Sequence, residues 1–311
     1  MPSGSVAVID IGSNSIKVLV AARAPDGGVT PLRIRTVDAR ISAGISRTTP
    51  RLSEEGMLRG VEAVRTLLAE ATQLTPERTV LVATSAVRDA GNGAEFRERV
   101  RAATGHVIRI LTGAEEASLI GRGLTCDPAL RDLRDFYVFD LGGGSLECLA
   151  FRARRIEQAV SLPLGCVRLA EKFVANPAQP FTDAEARGVA AHTREVLEGS
   201  LFRFSLPAAA VAVATGGSAT TVRAILGARE GLPFEATDSF LPLRYVRDVF
   251  RAVAARPLEQ RKQIAGLPAA RADVFPTALA TLIAVADAGG FAAYQTSVYN
   301  LRFGLADEAL S

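Results

Sequence analysis

The 311-residue chain contains little of the chemistry on which many enzymes depend. It has only two histidines, His106 and His192, which argues against a histidine-based metal site and against a Ser-His-Asp hydrolase. Cys126, Cys148 and Cys166 are isolated, and an odd number without a Cys-x-x-Cys pair indicates reduced thiols rather than a disulfide or zinc framework. Active chemistry must therefore come from carboxylates, hydroxyls, backbone amides and arginines.

Long apolar runs and blocks of like charge are also missing. No stretch of about 18 apolar residues is present, so we expect no membrane span. The segment Met1–Ser5 lacks the charged and apolar regions of a secretory signal. The net charge is +3, without five like charges in a row, which leaves a nucleic-acid tail unsupported. We therefore expect a cytoplasmic globular protein whose weak positive charge tolerates a polyanionic ligand.

The order of predicted elements indicates a mixed α/β protein. Apolar, β-branched runs at Ser5–Ile9 and Lys17–Ala22 bracket a turn of Gly, Ser and Asn, which predicts a hairpin. Ser53 precedes a 3.6-residue apolar period typical of an amphipathic helix. Strands and helices then alternate as far as a polar, proline-containing stretch at 125–135, which is the candidate linker.

Beyond that linker, three signals predict further elements. Thr182 to Glu185 forms a capping box that starts a helix. Pro276 lies in the first turn of an apolar helix, and a last strand is predicted near Thr296–Tyr299, before a C-terminal helix.

An internal duplication is the most informative feature of the sequence. Val-Ile-Asp-Ile-Gly-Ser-Asn-Ser at 8–15 aligns with Val-Phe-Asp-Leu-Gly-Gly-Gly-Ser at 138–145, an offset of 130 residues. We therefore predict two copies of one α/β fold, domains 1–125 and 126–298, with a helix at 299–311 packing back on the first. The two domains are expected to face each other across a cleft lined by both turns.

Glycine-rich turns supply the candidate phosphate-binding residues. Glycine allows backbone amides to point into a concavity that suits a phosphate oxygen, although such sequences also form ordinary hairpins. A helix that begins directly after a buried strand likewise offers amides to an anion, or is simply a tight connection. The candidates are Gly12, Ser13, Asn14 and Ser15 in the first turn, Gly142, Gly143, Gly144 and Ser145 in the second, and Gly216, Gly217 and Ser218 at the helix start.

Carboxylates next to these turns are candidate ligands of Mg²⁺ or Mn²⁺. Asp10 and Asp140 precede the two turns, and Glu147 follows the second turn in an otherwise apolar strand. Hard oxygen ligands of this kind can hold Mg²⁺, directly or through water, or orient a nucleophilic water. For Glu147 an exposed edge position is the alternative.

Two further charged positions are ambiguous from the residues alone. Glu115 and Glu116 stand at a helix start, where the helix dipole favours acidic residues anyway. Arg88 follows a buried strand and is either an anion clamp or a surface residue. Arg40 and Arg47 near Gly44 are expected in a solvated loop, with contact to a long polyanion as the alternative.

Taken together, these motifs resemble the exopolyphosphatase / guanosine pentaphosphate phosphohydrolase family, within the actin, acetate-kinase and sugar-kinase superfamily. The resemblance covers nearly the whole chain and rests on the stretches Asp10–Ser15, Thr84–Ala90, Gly113–Ile120, Asp140–Ser145 with Glu147, Leu164–Arg168 and Arg271–Asp273. It implies two actin-like (ribonuclease H-like) domains, each with a central mixed sheet.

The resemblance also implies a reaction. Glu116 would be the base that activates a water against the terminal phosphorus, Arg88 would neutralise developing charge, and Asp140 with Glu147 would hold Mg²⁺. The implied function is an exopolyphosphatase that releases orthophosphate from inorganic polyphosphate, as a monomer or homodimer. Guanosine pentaphosphate hydrolysis and a non-hydrolysing polyphosphate or alarmone sensor remain alternatives. Leu146 departs from the threonine usual in the family.

Overall fold

The computed structural model describes residues 4–45 and 50–311, which separate into two compact units. The first unit is the chain up to Asp132 together with Tyr299–Ser311, and the second unit is Leu133–Val298. The domain limits after residues 125 and 298 stay a prediction. Within the described residues, no helix has both the length and the apolar character needed to cross a membrane.

The first unit is built on a mixed five-stranded sheet. Its elements are β1 (Ser5–Ile11), β2 (Ile16–Arg23), β3 (Val29–Val37), α1 (Glu54–Thr72), β4 (Arg78–Ala83), α2 (Ser85–Arg88), α3 (Gly93–Thr104), β5 (Ile108–Ile110), α4 (Gly113–Thr125) and α11 (Leu301–Leu310). The strand order is β3-β2-β1-β4-β5, with β1 antiparallel to β2 and parallel to β4. Strands β1 and β2 are apolar on both faces, because α1 packs on one side and α11 on the other.

Helices α4 and α11 approach each other closely where each has a glycine. A Cβ atom at Gly304 would lie 1.9 Å from the carbonyl oxygen of Leu119, and one at Gly123 would lie 2.0 Å from that of Asn300. The two backbones therefore pack together without intervening side chains, which brings the end of the chain onto the first unit.

Ion pairs of Asp307 on α11 reinforce this packing. Its carboxylate lies 2.5 Å from Arg23 on β2 and 2.6 Å from Arg122 on α4. Burial raises the pKa of Asp307, but the hydrogen bonds from the two guanidinium groups outweigh burial, and the pKa lies below its ordinary value.

The second unit has a mixed six-stranded sheet. Its elements are β6 (Phe136–Leu141), β7 (Leu146–Arg152), β8 (Arg155–Leu162), α5 (Cys166–Phe173), α6 (Asp183–Gly199), β9 (Val211–Thr215), α7 (Gly216–Glu230), β10 (Phe240–Pro242), α8 (Leu243–Ala254), α9 (Leu258–Arg261), α10 (Phe275–Gly289) and β11 (Ala293–Thr296). The strand order is β10-β11-β9-β6-β7-β8, with β6 antiparallel to β7 and parallel to β9. The α/β class with a mixed sheet in each copy is confirmed.

Most local predictions are confirmed and one strand is misplaced. The hairpins, the capping box of Thr182 with Glu185, and Pro276 in the first turn of α10 are as predicted. The last strand, expected near Thr296–Tyr299, instead ends at Thr296. Its neighbour β9 ends at Thr215, where the chain turns into α7, so the ladder does not continue. The predicted linker begins inside α4, which extends to Thr125.

Candidate functional site

The first predicted phosphate turn, Gly12–Ser15, joins β1 to β2. The amide of Gly12 donates to the carbonyl oxygen of Ser15 at 3.2 Å, which closes the turn. Among the described residues, none accepts a hydrogen bond from the backbone amides of Ser13, Asn14 or Ser15. Three successive donors without a protein acceptor form the kind of concavity that binds an anion.

The side chain of Asn14 is the most unusual polar group in this turn. The residue is 7% exposed, and neither its amide nitrogen nor its amide oxygen has a hydrogen-bond partner among the described residues. Buried amides are nearly always paired, since an unsatisfied polar atom costs roughly 1–3 kcal/mol. Asn14 is therefore poised for a ligand or water that supplies the missing partners.

The second turn, Gly142–Ser145, repeats the first between β6 and β7. The amide of Gly142 donates to the carbonyl oxygen of Ser145 at 3.0 Å. The amides of Gly143, Gly144 and Ser145 again have no acceptor in the described part of the chain. Both copies of the duplicated sequence thus present the same three backbone donors.

Two buried carboxylates stand side by side below the second turn. Asp140 on β6 is directly opposite Glu147 on β7, and the residues are 8% and 2% exposed. The hydroxyl of Ser161 on β8 donates to Glu147 at 2.7 Å. The exposed edge position considered for Glu147 is therefore wrong, because Glu147 is buried and β7 lies between β6 and β8. Directly opposed like charges are unfavourable in a sheet, so a cation suits this pair.

The equivalent pair in the first turn has opposite charges. Asp10 is opposite Lys17 in the β1–β2 register, at the positions equivalent to Asp140 and Glu147. Among residues 4–45 and 50–311, no group of three or more His, Cys, Asp or Glu side chains could hold a metal ion. Mg²⁺ is usually held by one or two carboxylates together with substrate phosphates, so the Asp140–Glu147 pair fits this ion.

The predicted helix start at Gly216 lies against Asp140 of this pair. Parallel pairing sets Asp140 beside Thr215, so both strands end at one edge of the sheet. A Cβ atom at Gly216, where φ is +84°, would lie 2.3 Å from Oδ1 of Asp140. A Cβ atom at Gly217 would lie 2.1 Å from a guanidinium nitrogen of Arg271. Glycine is favoured at Gly216 by its positive φ and by the contact with Asp140, whereas a side chain at Gly217 would displace the guanidinium of Arg271.

Arg271 is a site residue to which sequence reasoning gave no role. The stretch 271–273 was part of the family resemblance, but only its packing against Gly217 brings a guanidinium to the N-terminus of α7. The second unit therefore brings together the Gly142–Ser145 turn, two carboxylates and an arginine.

Glu115 and Glu116 have different environments at the start of α4. Glu115 completes a capping box with Thr112 and lies 2.9 Å from Arg109. The hydrogen bond from Arg109, followed by those from Thr112, lowers the pKa of Glu115 to about 2. Glu116 is only 6% exposed, and its carboxylate accepts a hydrogen bond from Arg88 at 2.8 Å. One carboxylate caps the helix, and the other is buried beside a guanidinium.

Hydrogen bonds connect the junction of β4 and α2, the helix that carries Arg88, to the first turn. The hydroxyls of Ser13 and Ser85 are 3.3 Å apart, and the amide of Thr84 donates to Ile11 at 3.3 Å. Strand β4 lies parallel to β1, so α2 begins at the sheet edge where the turn lies. The same guanidinium nitrogen of Arg88 that bonds Glu116 also donates to the carbonyl oxygen of Leu111 at 3.0 Å. The first unit thus assembles the turn, an arginine and a buried carboxylate.

Residues 19–311 match the pattern of the Ppx/GppA phosphatase family. The chain belongs to this family. A phosphatase is therefore the class of enzyme that the sequence and its matched residues support.

Solved structures of Ppx/GppA and exopolyphosphatase proteins share the fold. An exopolyphosphatase from Cytophaga hutchinsonii is 22% identical, with 96% of each chain covered and a TM-score of 0.86. The Aquifex aeolicus PPX-GPPA enzyme is 24% identical, with 98% of this chain and 99% of that chain covered and a TM-score of 0.78. An exopolyphosphatase-like protein is 23% identical, with 99% and 98% covered and a TM-score of 0.88. At these identities the likeness establishes the fold that this chain shares with those proteins.

Other sequence-based expectations for this Ppx/GppA chain have different outcomes. Leu146 is fully buried in the hydrophobic core of the second unit, so its side chain contributes to packing. Arg40 lies in the segment after β3, and Arg47 falls outside the described residues. The roles assigned to Asp10, Glu116 and the turn residues stay predictions.

Proposed function

We propose that the protein is an exopolyphosphatase that releases terminal orthophosphate from inorganic polyphosphate. The observation that carries this proposal is the buried Glu116, held by Arg88 in the unit that also presents the free amides of the first turn. A carboxylate beside an anion-binding turn can accept a proton from water but cannot itself bind phosphate, since like charges repel.

The proposed reaction is attack of water on the terminal phosphorus. The carboxylate of Glu116 accepts a proton as the water oxygen bonds to phosphorus, and the bridging oxygen leaves on the shortened chain. Arg88 orients Glu116 through their 2.8 Å hydrogen bond and offsets charge that builds on the phosphoryl oxygens. The two turns hold phosphate groups through backbone amides, and Asn14 supplies a further amide. Positioning and electrostatics dominate phosphoryl transfer, which suits these groups.

A divalent cation completes the proposal. The buried Asp140–Glu147 pair fits Mg²⁺ or Mn²⁺, and Asp10 is proposed as a further ligand, direct or through water. When bound, the ion would neutralise phosphate charge during the reaction. Arg271 beside Gly217 would contribute fixed positive charge at the same turn of α7.

Inorganic polyphosphate is favoured over guanosine pentaphosphate by the types of residue in the site. The proposed contacts are backbone amides, hydroxyls, one carboxamide, carboxylates and arginines, which recognise phosphate oxygens. None of these assigned residues has an aromatic ring on which a guanine could stack. Guanosine pentaphosphate hydrolysis and binding without turnover are the competing outcomes.

The test is phosphate release from polyphosphate, guanosine pentaphosphate and ATP, each measured with Mg²⁺, with Mn²⁺ and with EDTA. We expect polyphosphate to be the best substrate, and EDTA to abolish release until metal is restored. Asp140→Asn should lose Mg²⁺-dependent turnover, while the exposed control Asp132→Asn should keep it. Full activity in EDTA would overturn the metal's role, and preference for guanosine pentaphosphate would replace the proposed substrate.

A further inference from the structure

The carbonyl groups of the first turn accept hydrogen bonds from the segment 39–42, which we call the bracing segment. The amide of Arg40 donates to the carbonyl oxygen of Asn14 at 2.8 Å. The amide and the hydroxyl of Ser42 donate to that of Ser13 at 3.3 and 3.1 Å. In a trans peptide the carbonyl and the following amide point in opposite directions. The bracing segment therefore directs the amides of Asn14 and Ser15 away from itself, towards the anion-binding side.

The second unit restrains its turn in the same way. The carbonyl oxygen of Gly143 accepts from the amides of Val167 and Arg168 at 2.9 and 3.2 Å. The guanidinium of Arg168 donates to the carbonyl oxygen of Gly144 at 2.9 Å. In both units the donors lie in the segment that follows the third strand, β3 or β8. The recurrence indicates that restraint of these carbonyls is a requirement of the turn.

The two restraining segments differ in how they are stabilised. In the second unit the donors belong to the first turn of α5, whose amides are oriented by the helix itself. In the first unit the segment is irregular, and Arg40 has φ +46°, a left-handed conformation that disfavours residues with a Cβ atom. The turn at Arg40 is closed by a hydrogen bond from the amide of Ala43 to the carbonyl oxygen of Arg40 at 3.2 Å, and support from outside the bracing segment helps to keep Arg40 in this conformation.

Arg59 on α1 supplies that support. Its Nε donates to the carbonyl oxygen of Ala39 at 2.9 Å, and its Nη2 donates to that of Arg40 at 3.2 Å. The remaining guanidinium nitrogen is 2.6 Å from Glu55, one helical turn earlier, which fixes the direction of the group. Arg59 thus binds the two carbonyls that flank the strained residue.

We propose that Arg59 is a positioning residue for phosphate binding and turnover. It holds the strained bracing segment, and that segment sets the direction of the amides in the first turn. This inference rests on the proposed phosphate site, but it concerns a residue remote from the reacting atoms. Arg59 itself makes no contact with the Gly12–Ser15 turn in the hydrogen-bond network, so its effect must pass through Arg40 and Ser42.

The first experiment compares Arg59→Met with Arg65→Met. Methionine keeps an unbranched stem but removes the hydrogen bonds to Ala39, Arg40 and Glu55. Arg65 lies on the same helix and, within the described residues, pairs with Glu62 at 3.7 Å. We expect kcat to fall about tenfold or more in Arg59→Met, since a displacement of about 1 Å can cost about 10²-fold. Binding of inorganic phosphate should weaken in parallel. Arg59→Lys should recover part of both, because its ammonium can still reach one carbonyl.

The second experiment tests the route through Arg40. Glycine adopts positive φ without steric cost, so Arg40→Gly keeps the amide donor and removes the strain. We therefore expect Arg59→Met to cost less in the Arg40→Gly background than alone, measured as a double-mutant cycle on kcat and on phosphate affinity. Equal losses in both backgrounds would overturn the proposed route.

The outcomes separate this inference from the proposed function. If the wild type hydrolyses polyphosphate and Arg59→Met matches Arg65→Met in kcat and phosphate affinity, the inference fails and the function stands. If the wild type hydrolyses none of the substrates, the function fails, and phosphate affinity alone decides the role of Arg59. Should Arg59→Met not fold, an unchanged kcat and phosphate affinity in folded Arg59→Lys would refute the inference.

Discussion

Replacement of Glu116 by glutamine is the sharpest perturbation of the proposed mechanism. Glutamine has the size of glutamate and can still accept the hydrogen bond from Arg88, but it cannot act as a base. The variant therefore removes one chemical property from a residue that is 6% exposed and leaves its packing in place. Arg88 keeps its second hydrogen bond, to Leu111 at 3.0 Å.

The expected changes in the activation barrier and in the free energy of unfolding distinguish a loss of catalysis from a loss of folding. Removal of a general base typically slows a reaction by about 10²–10⁴-fold, which is about 3–5 kcal/mol in the activation barrier. Loss of charge in the 2.8 Å pair should cost about 1–2 kcal/mol of stability. Domains are stable by about 5–15 kcal/mol, so the folded fraction should hardly change. A collapse of kcat therefore cannot be explained by unfolding.

The assay measures kcat for phosphate release together with the affinity for polyphosphate in a non-turnover binding experiment. We expect Glu116→Gln to bind as tightly as the wild type or more tightly, since a negative charge near a polyanion is gone. Glu115→Gln is the matched control, because Glu115 caps the helix and pairs with Arg109. Near-normal turnover in Glu116→Gln, or loss of turnover in Glu115→Gln alone, would refute the mechanism.

Three further outcomes follow from the described contacts. Gly216→Ala and Gly231→Ala both place alanine at positive φ, which costs about 1–2 kcal/mol of stability. The new methyl group meets the side chain of Asp140 in Gly216→Ala and open space in Gly231→Ala, so phosphate release should fail in the first variant and persist in the second. Asp307→Asn should lower the free energy of unfolding by about 1–3 kcal/mol, because two arginines lose their charged partner; unchanged denaturant midpoints would contradict this. The pKa of Glu115 is lowered from 4.5 to about 2, so its contribution to stability is complete above about pH 4.5 and is lost as the pH falls. The unfolding free energies of the wild type and Glu115→Gln should therefore differ above about pH 4.5 and converge as the pH falls towards about 2.

The duplicated hairpins were predictable because their signal is local. Alternating apolar strands around a Gly-x-x-Ser turn fix both the strand pairing and the register, and Asp10 and Asp140 occupy equivalent places in the two copies. Lys17 and Glu147 follow the two turns at equivalent positions and have opposite charges, a difference that could also have been inferred from the offset between the two copies. The capping box on α6 and the proline in α10 are likewise signals within a few residues.

Contacts between distant segments were not predictable in this way. The roles of Arg59 and Arg271 depend on which carbonyl or glycine they meet, and neither partner is close in sequence. Glu115 and Glu116 are equally good helix-start residues by pattern, and only the packing of α4 against its neighbours distinguishes the exposed cap from the buried carboxylate. The short helix α2 was also missed, since four residues give no measurable period.

Because the first unit is discontinuous in sequence, it affects the order in which the two units can fold during synthesis. Residues of α11 cover one face of β1 and β2, and the Gly123–Gly304 approach cannot form before they exist. On the ribosome the usual order is that the N-terminal domain folds first. Here Leu133–Val298 is synthesised as an uninterrupted block, so it can fold while the first unit still lacks its last helix. The apolar β1–β2 surface therefore stays uncovered until α11 has been synthesised and has left the ribosome, which makes the nascent first unit the species that needs chaperone protection.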